Sequence, residues 1–298
     1  MKIKLPRPTI GILLMVVGVM MLPVGDSATK LLSSRYPLAQ LLWMKCFPFF
    51  WCICLITNWR HGLSVFILSK KTTILLVSRA LFWLAASFCY FIALKYMPLA
   101  NASAIALSSP LILVVLLALL QKDRIPPVHF LAVVIGLVAM LLVIRPGFEG
   151  FNSASIAALG AGLLGACYLF ANRLLRNVVR PLVQMSYQLT VGTLVLTPLM
   201  PFVWVRPTSA DLMFLIAASL LYLLGHILIT SAFNFAEASL LAPFIYSTII
   251  MNTVMGYVIF GDLPDILTSI GILLFVGVGI YVTTKDPTLR PRNLYQTD

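Results

Sequence analysis

Residues 30–43 read KLLSSRYPLAQLLW, and residues 173–187 read RLLRNVVRPLVQMSY. With one inserted residue the second stretch repeats the first. Lys30 meets Arg173, Pro37 meets Pro181, Gln40 meets Gln184 and Trp43 meets Tyr187. A fainter echo pairs ALKY (93–96) with AFNF (232–235), and Asp123 with Asp262. Self-similarity of this kind marks a fold built from two copies of one unit.

The chain around the repeat is strongly apolar. Of its 298 residues 61% are hydrophobic and 10% are charged, and the mean hydropathy is +1.02. Soluble domains run near about 45–50% apolar and about 25% charged, so the composition points to a lipid bilayer. A hydrocarbon core about 30 Å thick takes about 20 apolar residues at about 1.5 Å each. That ruler finds ten spans, roughly 9–32, 37–57, 72–95, 98–120, 127–145, 153–175, 181–204, 210–235, 238–260 and 265–284. The expected fold is an all-α integral membrane protein with ten transmembrane helices in a single membrane domain, residues 1–298. MKIKLPRP followed by the apolar run Thr9 to Val24 imitates a signal peptide. The run is long for one and many spans follow, so it reads as the first transmembrane helix.

The net charge of +12 does not point to nucleic acid, because the basic residues sit in short clusters between apolar runs. Lys and Arg concentrate on the cytoplasmic side of a membrane protein. With the N-terminus inside, fourteen fall in inside segments and five in outside ones, and Lys45 and Arg79 stay within spans. Both termini are expected in the cytoplasm, which ten spans satisfy. Each repeat then holds five spans, an odd number, so the second copy lies inverted relative to the first. Inverted repeats let a bundle open to either side around a midplane site.

The five cysteines lie in apolar runs without His or carboxylate at metal-ligand spacing, and read as small buried hydrophobes. No G-x-S-x-G, Walker-type GK[ST] or HExxH motif occurs. Neither an enzyme, nor a cofactor, nor a metal site is expected.

ALKYMPLANASAIALSSPLI (93–112) with KDRIP (122–126), and AFNFAEASLLAPFIYS (232–247) with FGDLP (260–264), resemble the drug/metabolite transporter superfamily, specifically the ten-helix EamA-type transporters. The resemblance implies two EamA repeats, 8–147 and 150–286, and an acidic residue marking the ends of the fourth and ninth helices. Asp123 and Asp262 stand there, where Glu is commoner. It also implies a central cavity lined chiefly by helices 1, 3, 4, 6, 8 and 9. Where Lys45 stands, relatives often carry an arginine; lysine keeps the charge and loses the planar fork. The function implied is secondary active transport of a small organic metabolite, amino-acid- or vitamin-like with a planar or anionic part, by alternating access. A channel-like facilitator and a non-transporting scaffold or sensor are the rivals. The expected location is a bacterial inner membrane, and the expected partners are solute, lipid and, for a proton-coupled carrier, a proton.

Ionisable residues inside a span carry a functional expectation. Lys45 lies about 12 Å past Pro37. Asp26 precedes the turn near residue 35 by about as many residues as Lys45 follows it, so an antiparallel hairpin sets them at equal depth. Two readings stay open: a resting ion pair, or a pair that parts for substrate or proton. Lys30, four residues past Asp26, competes for the same carboxylate. Pro48 deprives the Met44 carbonyl of its helical donor, which the lysine ammonium or a ligand could replace. Arg79, about 10 Å into the third span, either snorkels to the surface or meets substrate. Trp83 and Tyr90 continue its face; Tyr168, Tyr222 and Tyr246 are further candidates for a planar solute. His226 shares a face with Tyr222 and titrates near neutral pH in water. Asn252 is either interhelical glue or a cavity donor.

Overall fold

The computed structural model describes residues 7–121, 127–144, 153–175, 178–232, 235, 241, 244 and 247–285. The described residues are helical with no strand. In chain order the helices are α1 (Arg7–Leu32), α2 (Leu38–His61), α3 (Lys70–Tyr96), α4 (Leu99–Ala106), α5 (Ser109–Gln121) and α6 (Pro127–Ile144). They continue as α7 (Ser153–Leu175), α8 (Pro181–Leu196), α9 (Met200–Val203), α10 (Ser209–Ala232), α11 (Ser247–Met255) and α12 (Ile266–Lys285). Five of them are long and apolar enough to cross a bilayer: α1, α2, α3, α7 and α10. Apolar side chains such as Trp59, Phe202 and Ile266 stand almost fully exposed on the outside of the bundle, as a lipid-facing surface requires.

The helix starts are written locally. Pro37 and Pro98 sit at the N-caps of α2 and α4, and Pro181 is the first residue of α8, where a missing N–H costs nothing. The Ser69 hydroxyl accepts from the Thr72 amide at 3.3 Å to cap α3. The Asp265 carboxylate accepts from the Thr268 amide at 2.9 Å to cap α12. Gly62 ends α2 with φ +74°, a conformation open to glycine. Pro23 and Pro48 lie inside α1 and α2 without ending them.

The stretch 98–120, expected as one helix, is two. α4 stops at Ala106, Leu107 and Ser108 form a turn, and α5 restarts at Ser109. Pro110 supplies the reason: it has no N–H to return to the Ala106 carbonyl. Gly162 of α7 packs into this turn, where a Cβ would come within 2.6 Å of the Ser108 hydroxyl. The span expected over 181–204 tightens into a 3₁₀ turn at Thr197–Leu199, which holds Pro198, and resumes as α9, which holds Pro201. α11 runs into a π-turn at Gly256–Phe260, closed by Gly261 at φ +71°.

Packing crosses the midpoint of the chain. α1 lies chiefly on α10, α3 on α7, α2 on α8 and α6 on α12. The α1–α10 contact is backbone to backbone: a Cβ on Gly18 would sit 2.8 Å from the Gly225 carbonyl oxygen, and one on Gly225 2.7 Å from that of Gly18. Small residues at such a crossing replace the hydrophobic drive that lipid removes. The largest apolar cluster gathers Leu42, Leu84, Phe91, Leu94, Leu99 and Ile105 at the centre.

Candidate substrate cavity

The α1–α2 hairpin brings Asp26 and Lys45 together. Lys45 Nζ lies 3.9 Å from Asp26 Oδ1, with side-chain exposures of 7% and 13%. The ammonium also stands 4.5 Å from the centre of the Phe91 ring on α3 and 4.9 Å from that of Tyr222 on α10. Four helices therefore meet at one cation, and two aromatic faces take the place of water around it. Gly25 permits the approach of α10, since a Cβ there would lie 3.0 Å from the Tyr222 side chain.

Lys45 Nζ has no hydrogen-bond partner among the described residues. It therefore does not replace the donor that Pro48 removes from Met44.

A cavity opens on the lysine. Its walls come from α2 (Leu42, Lys45, Cys46, Phe49), α3 (Trp83, Ser87, Phe91), α8 (Met185, Gln188, Leu189) and α10 (Ser219, Tyr222, Leu223, His226). These are the second, third, seventh and eighth spans in the order of the sequence, two from each half of the chain. Among the described residues, the third and eighth of the six helices that the family resemblance implied contribute to the wall. The first span supplies Asp26 as the lysine's counter-ion, outside the cavity lining. About 40 Å³ is free to the centres of water-sized spheres, room for a few waters. Gln188 Oε1, Ser219 Oγ and His226 Nε2 join Lys45 Nζ as buried polar atoms without a hydrogen-bond partner among the described residues. The Tyr222 and His226 rings meet edge to face at 4.7 Å.

Arg79 belongs to a neighbouring cluster rather than to the cavity wall. It is buried and turned inward, not snorkelled. Nε donates to Asn172 Oδ1 at 2.6 Å, Nη2 to the Tyr168 hydroxyl at 2.9 Å and Nη1 to the Gln184 carbonyl at 3.2 Å. The guanidinium also lies 4.7 Å from the centre of the Tyr168 ring. Three neutral partners thus tie α3 to α7 and α8. The Tyr90 hydroxyl pairs with that of Ser103 at 2.8 Å, and Tyr90 packs into the central apolar cluster. Asn252 is buried on α11, its Oδ1 unpartnered among the described residues, away from the cavity wall. Tyr246 and Asp123 lie outside the described residues.

Lys30 turns away from Asp26. Its ammonium donates to Asp262 Oδ2 at 3.3 Å and to the Met97 carbonyl at 3.0 Å, 4.5 Å from the Phe260 ring centre. One cation thereby joins the end of α1, the α3–α4 turn and the α11–α12 connection. At the same end of the bundle, Gln40 exchanges two hydrogen bonds with the Val205 backbone, at 2.6 and 2.9 Å. The Tyr36 hydroxyl donates to Asp211 at 2.8 Å, with Arg35 3.3 Å from the same carboxylate. At the opposite end the Thr57 and Ser186 hydroxyls meet at 3.0 Å.

Gln188, Ser219, Ser87 and Cys46 complete the wall without having been expected there. The signal for Gln188 was an amide within the seventh span, one position before Leu189, the repeat mate of Lys45. Ser219 is a single serine within LIAASLLYLL (215–224).

The EamA-like transporter family model matches residues 9–145 and again residues 152–284. The chain belongs to that family. Proteins with which it aligns include the pseudopaline exporter of Pseudomonas aeruginosa, 29% identical over 89% of this chain and 93% of that one. The riboflavin transporter of Brucella anthropi is 24% identical over 65% of this chain and 70% of that one. The S-adenosylmethionine uptake transporter of Rickettsia prowazekii is 21% identical over 88% of each. One solved crystal structure superposes with a TM-score of 0.64 at 21% identity, covering 96% of this chain and 99% of that one, a likeness of fold. With its apolar helices, the EamA-like chain is a multi-pass membrane protein.

Proposed function

We propose that this protein is a secondary transporter of a small organic metabolite, working by alternating access. The observation that carries the reading is the cavity on Lys45, with walls drawn from both halves of the chain and four buried polar atoms without a hydrogen-bond partner among the described residues. A structural core fills such space or satisfies such atoms; a solute site leaves them for the solute. The relatives are named for carrying metabolites in both directions, so direction stays with experiment.

The ten-helix arrangement of two inverted five-helix repeats, residues 8–147 and 150–286, is part of the proposal. Its support is the double match to the family model and the pairing of α1 with α10 and α3 with α7, which exchange when the halves are exchanged. With both termini in the cytoplasm of a bacterial cell, the Lys30–Asp262 and Tyr36–Asp211 contacts close the outer end. The solute has a planar or anionic part, for which Lys45 and the aromatic rings around it are the binding groups. His226 is the group on which proton coupling is to be tested. Transport, not catalysis, is the activity assigned.

Counterflow decides the matter. Purified protein in proteoliposomes, loaded with an unlabelled solute from a metabolite library, is expected to accelerate tracer entry of that solute. Entry indifferent to preloading would identify a pore-like facilitator. No exchange of any solute would end the transport reading.

A further inference from the structure

We propose that the groove between the end of α1 and the start of α10 holds one membrane phospholipid with a zwitterionic headgroup, its phosphate on Arg35 and its ammonium on Asp211 and Ser34. The groove shares no residue with the substrate cavity, and the proposal needs the membrane but not the transport reading.

The groove stands at the depth of lipid headgroups. The apolar span of α1 ends at Leu32 and that of α10 begins at Ser209, so these packed helices reach the bilayer boundary side by side. Trp204, half-exposed shortly before α10, fits the aromatic belt found at that level. Leu31, Leu32 and Phe214 floor a groove of about 350 Å³, inside the range of about 300–1,000 Å³ for small-molecule sites. Leu31 and Phe214 are nearly half-exposed, so an acyl chain reaches them directly from the bilayer.

Arg35 is the donor on this groove. Its side chain is 68% exposed, and Nη1 alone is engaged, with the Asp211 carboxylate oxygens at 3.3 and 3.4 Å. Nε and Nη2 have no acceptor among the described residues, which leaves a two-donor edge matched to phosphate oxygens. A basic pocket between transmembrane helices at headgroup depth is a recurrent lipid site. Asp211 then selects the headgroup. Its carboxylate lines the same groove, accepts from the Tyr36 hydroxyl at 2.8 Å, and repels a headgroup of net negative charge. Ser34 adds a second acceptor: its hydroxyl proton goes to the Leu31 carbonyl at 3.0 Å, which leaves the oxygen lone pairs for an incoming N–H. One donor edge beside two acceptors suits a phosphate followed by an ammonium that carries N–H groups. A quaternary ammonium has no N–H to give, and an alcohol headgroup leaves the phosphate charge uncompensated beside Asp211. A soluble phosphate ester would use the polar groups and leave the apolar floor bare, so the occupant is a lipid.

The test is native mass spectrometry of the full chain released from detergent micelles. Phosphatidylethanolamine, phosphatidylcholine and phosphatidylglycerol with identical acyl chains are offered in equal amounts. Phosphatidylethanolamine is expected to be retained about fivefold more than either competitor, the weight of one exposed ion pair. Arg35→Ala is expected to abolish that excess, Asp211→Asn to hand the preference to phosphatidylglycerol, and Phe214→Ala to lower retention of all three. Arg60→Ala, which removes an exposed cation near the far end of α2, is expected to change nothing. Soluble glycerophosphoethanolamine at the same concentration is expected not to compete. The proposal is overturned if the three lipids are retained equally or another leads, if Arg35→Ala or Asp211→Asn keeps the wild-type preference, or if Phe214→Ala leaves retention unchanged. It is equally overturned if Arg60→Ala removes the excess or if the soluble headgroup displaces the lipid. None of these outcomes bears on transport, which solute exchange in proteoliposomes decides separately.

Discussion

Removing the lysine of the Asp26–Lys45 pair should cost more than removing both charges. At 3.9 Å and an effective dielectric of about 20, the attraction is about 4 kcal/mol. Lys45→Met forfeits that and leaves a carboxylate with 13% of its side-chain surface exposed; stranding one member of a buried pair costs about 3–5 kcal/mol. Asp26→Asn combined with Lys45→Met strands nothing. The cation–ring contacts with Phe91 and Tyr222 vanish in both variants, so they cancel when the two are compared. The double variant is therefore expected to melt between the wild type and Lys45→Met, with a coupling of about 2–4 kcal/mol in the complete cycle that includes Asp26→Asn. The assay is thermal unfolding in one lipid–detergent mixture at one scan rate, because membrane bundles often unfold irreversibly and only like-for-like midpoints compare. Additive losses, within about 0.5 kcal/mol, would refute the pairing.

Lys30→Met or Asp262→Asn is expected to loosen the end of the bundle they close. In a background where Cys46 is the sole cysteine, its labelling by a membrane-impermeant thiol reagent should rise several-fold, and unchanged labelling would show that the contact is not a closure. Arg79→Lys keeps the charge but can reach only one of the three partners, an expected loss of about 3 kcal/mol; a melting point equal to wild type would contradict the fork geometry. Gly225→Val should cost about 3 kcal/mol or more through contact with the Gly18 carbonyl, whereas Gly277→Ala, with open space at its Cβ, should not lower the melting point. His226→Gln is expected to abolish the response of uptake to an imposed pH gradient; uptake that still follows the gradient removes His226 from coupling.

Asp26 opposite Lys45 was legible because both count from one turn, and a helical hairpin converts sequence distance directly into depth. The partner of Lys30 was not. Asp262 is 232 residues away, and the local i,i+4 rule pointed to Asp26 instead. The break at Leu107–Ser108 had its cause in plain view at Pro110, but an unbroken apolar run hides a two-residue turn from any measure of hydropathy. Arg79 shows a different limit. Depth alone allowed either snorkelling or burial, and the choice depended on Asn172 and Tyr168 arriving from α7. The cavity wall drew on α2 and α8 because Cys46 and Gly192 let these helices approach: a Cβ on Gly192 would lie 3.0 Å from the Cys46 sulfur. Such complementarity across more than a hundred residues leaves no local trace.

The contact of Gly18 with Gly225 separates ancestry from mechanics. Each glycine comes from a different half of the chain, and their backbones touch with no side chain between them to slide or re-pack. A seam of that kind behaves as a weld. Under the proposed alternating access, the pieces expected to move are not the two proposed repeats but crosswise blocks, α1 with α10 and α3 with α7, each holding one helix from either half. Cutting the gene at its midpoint would yield two fragments, neither of which contains a whole moving part.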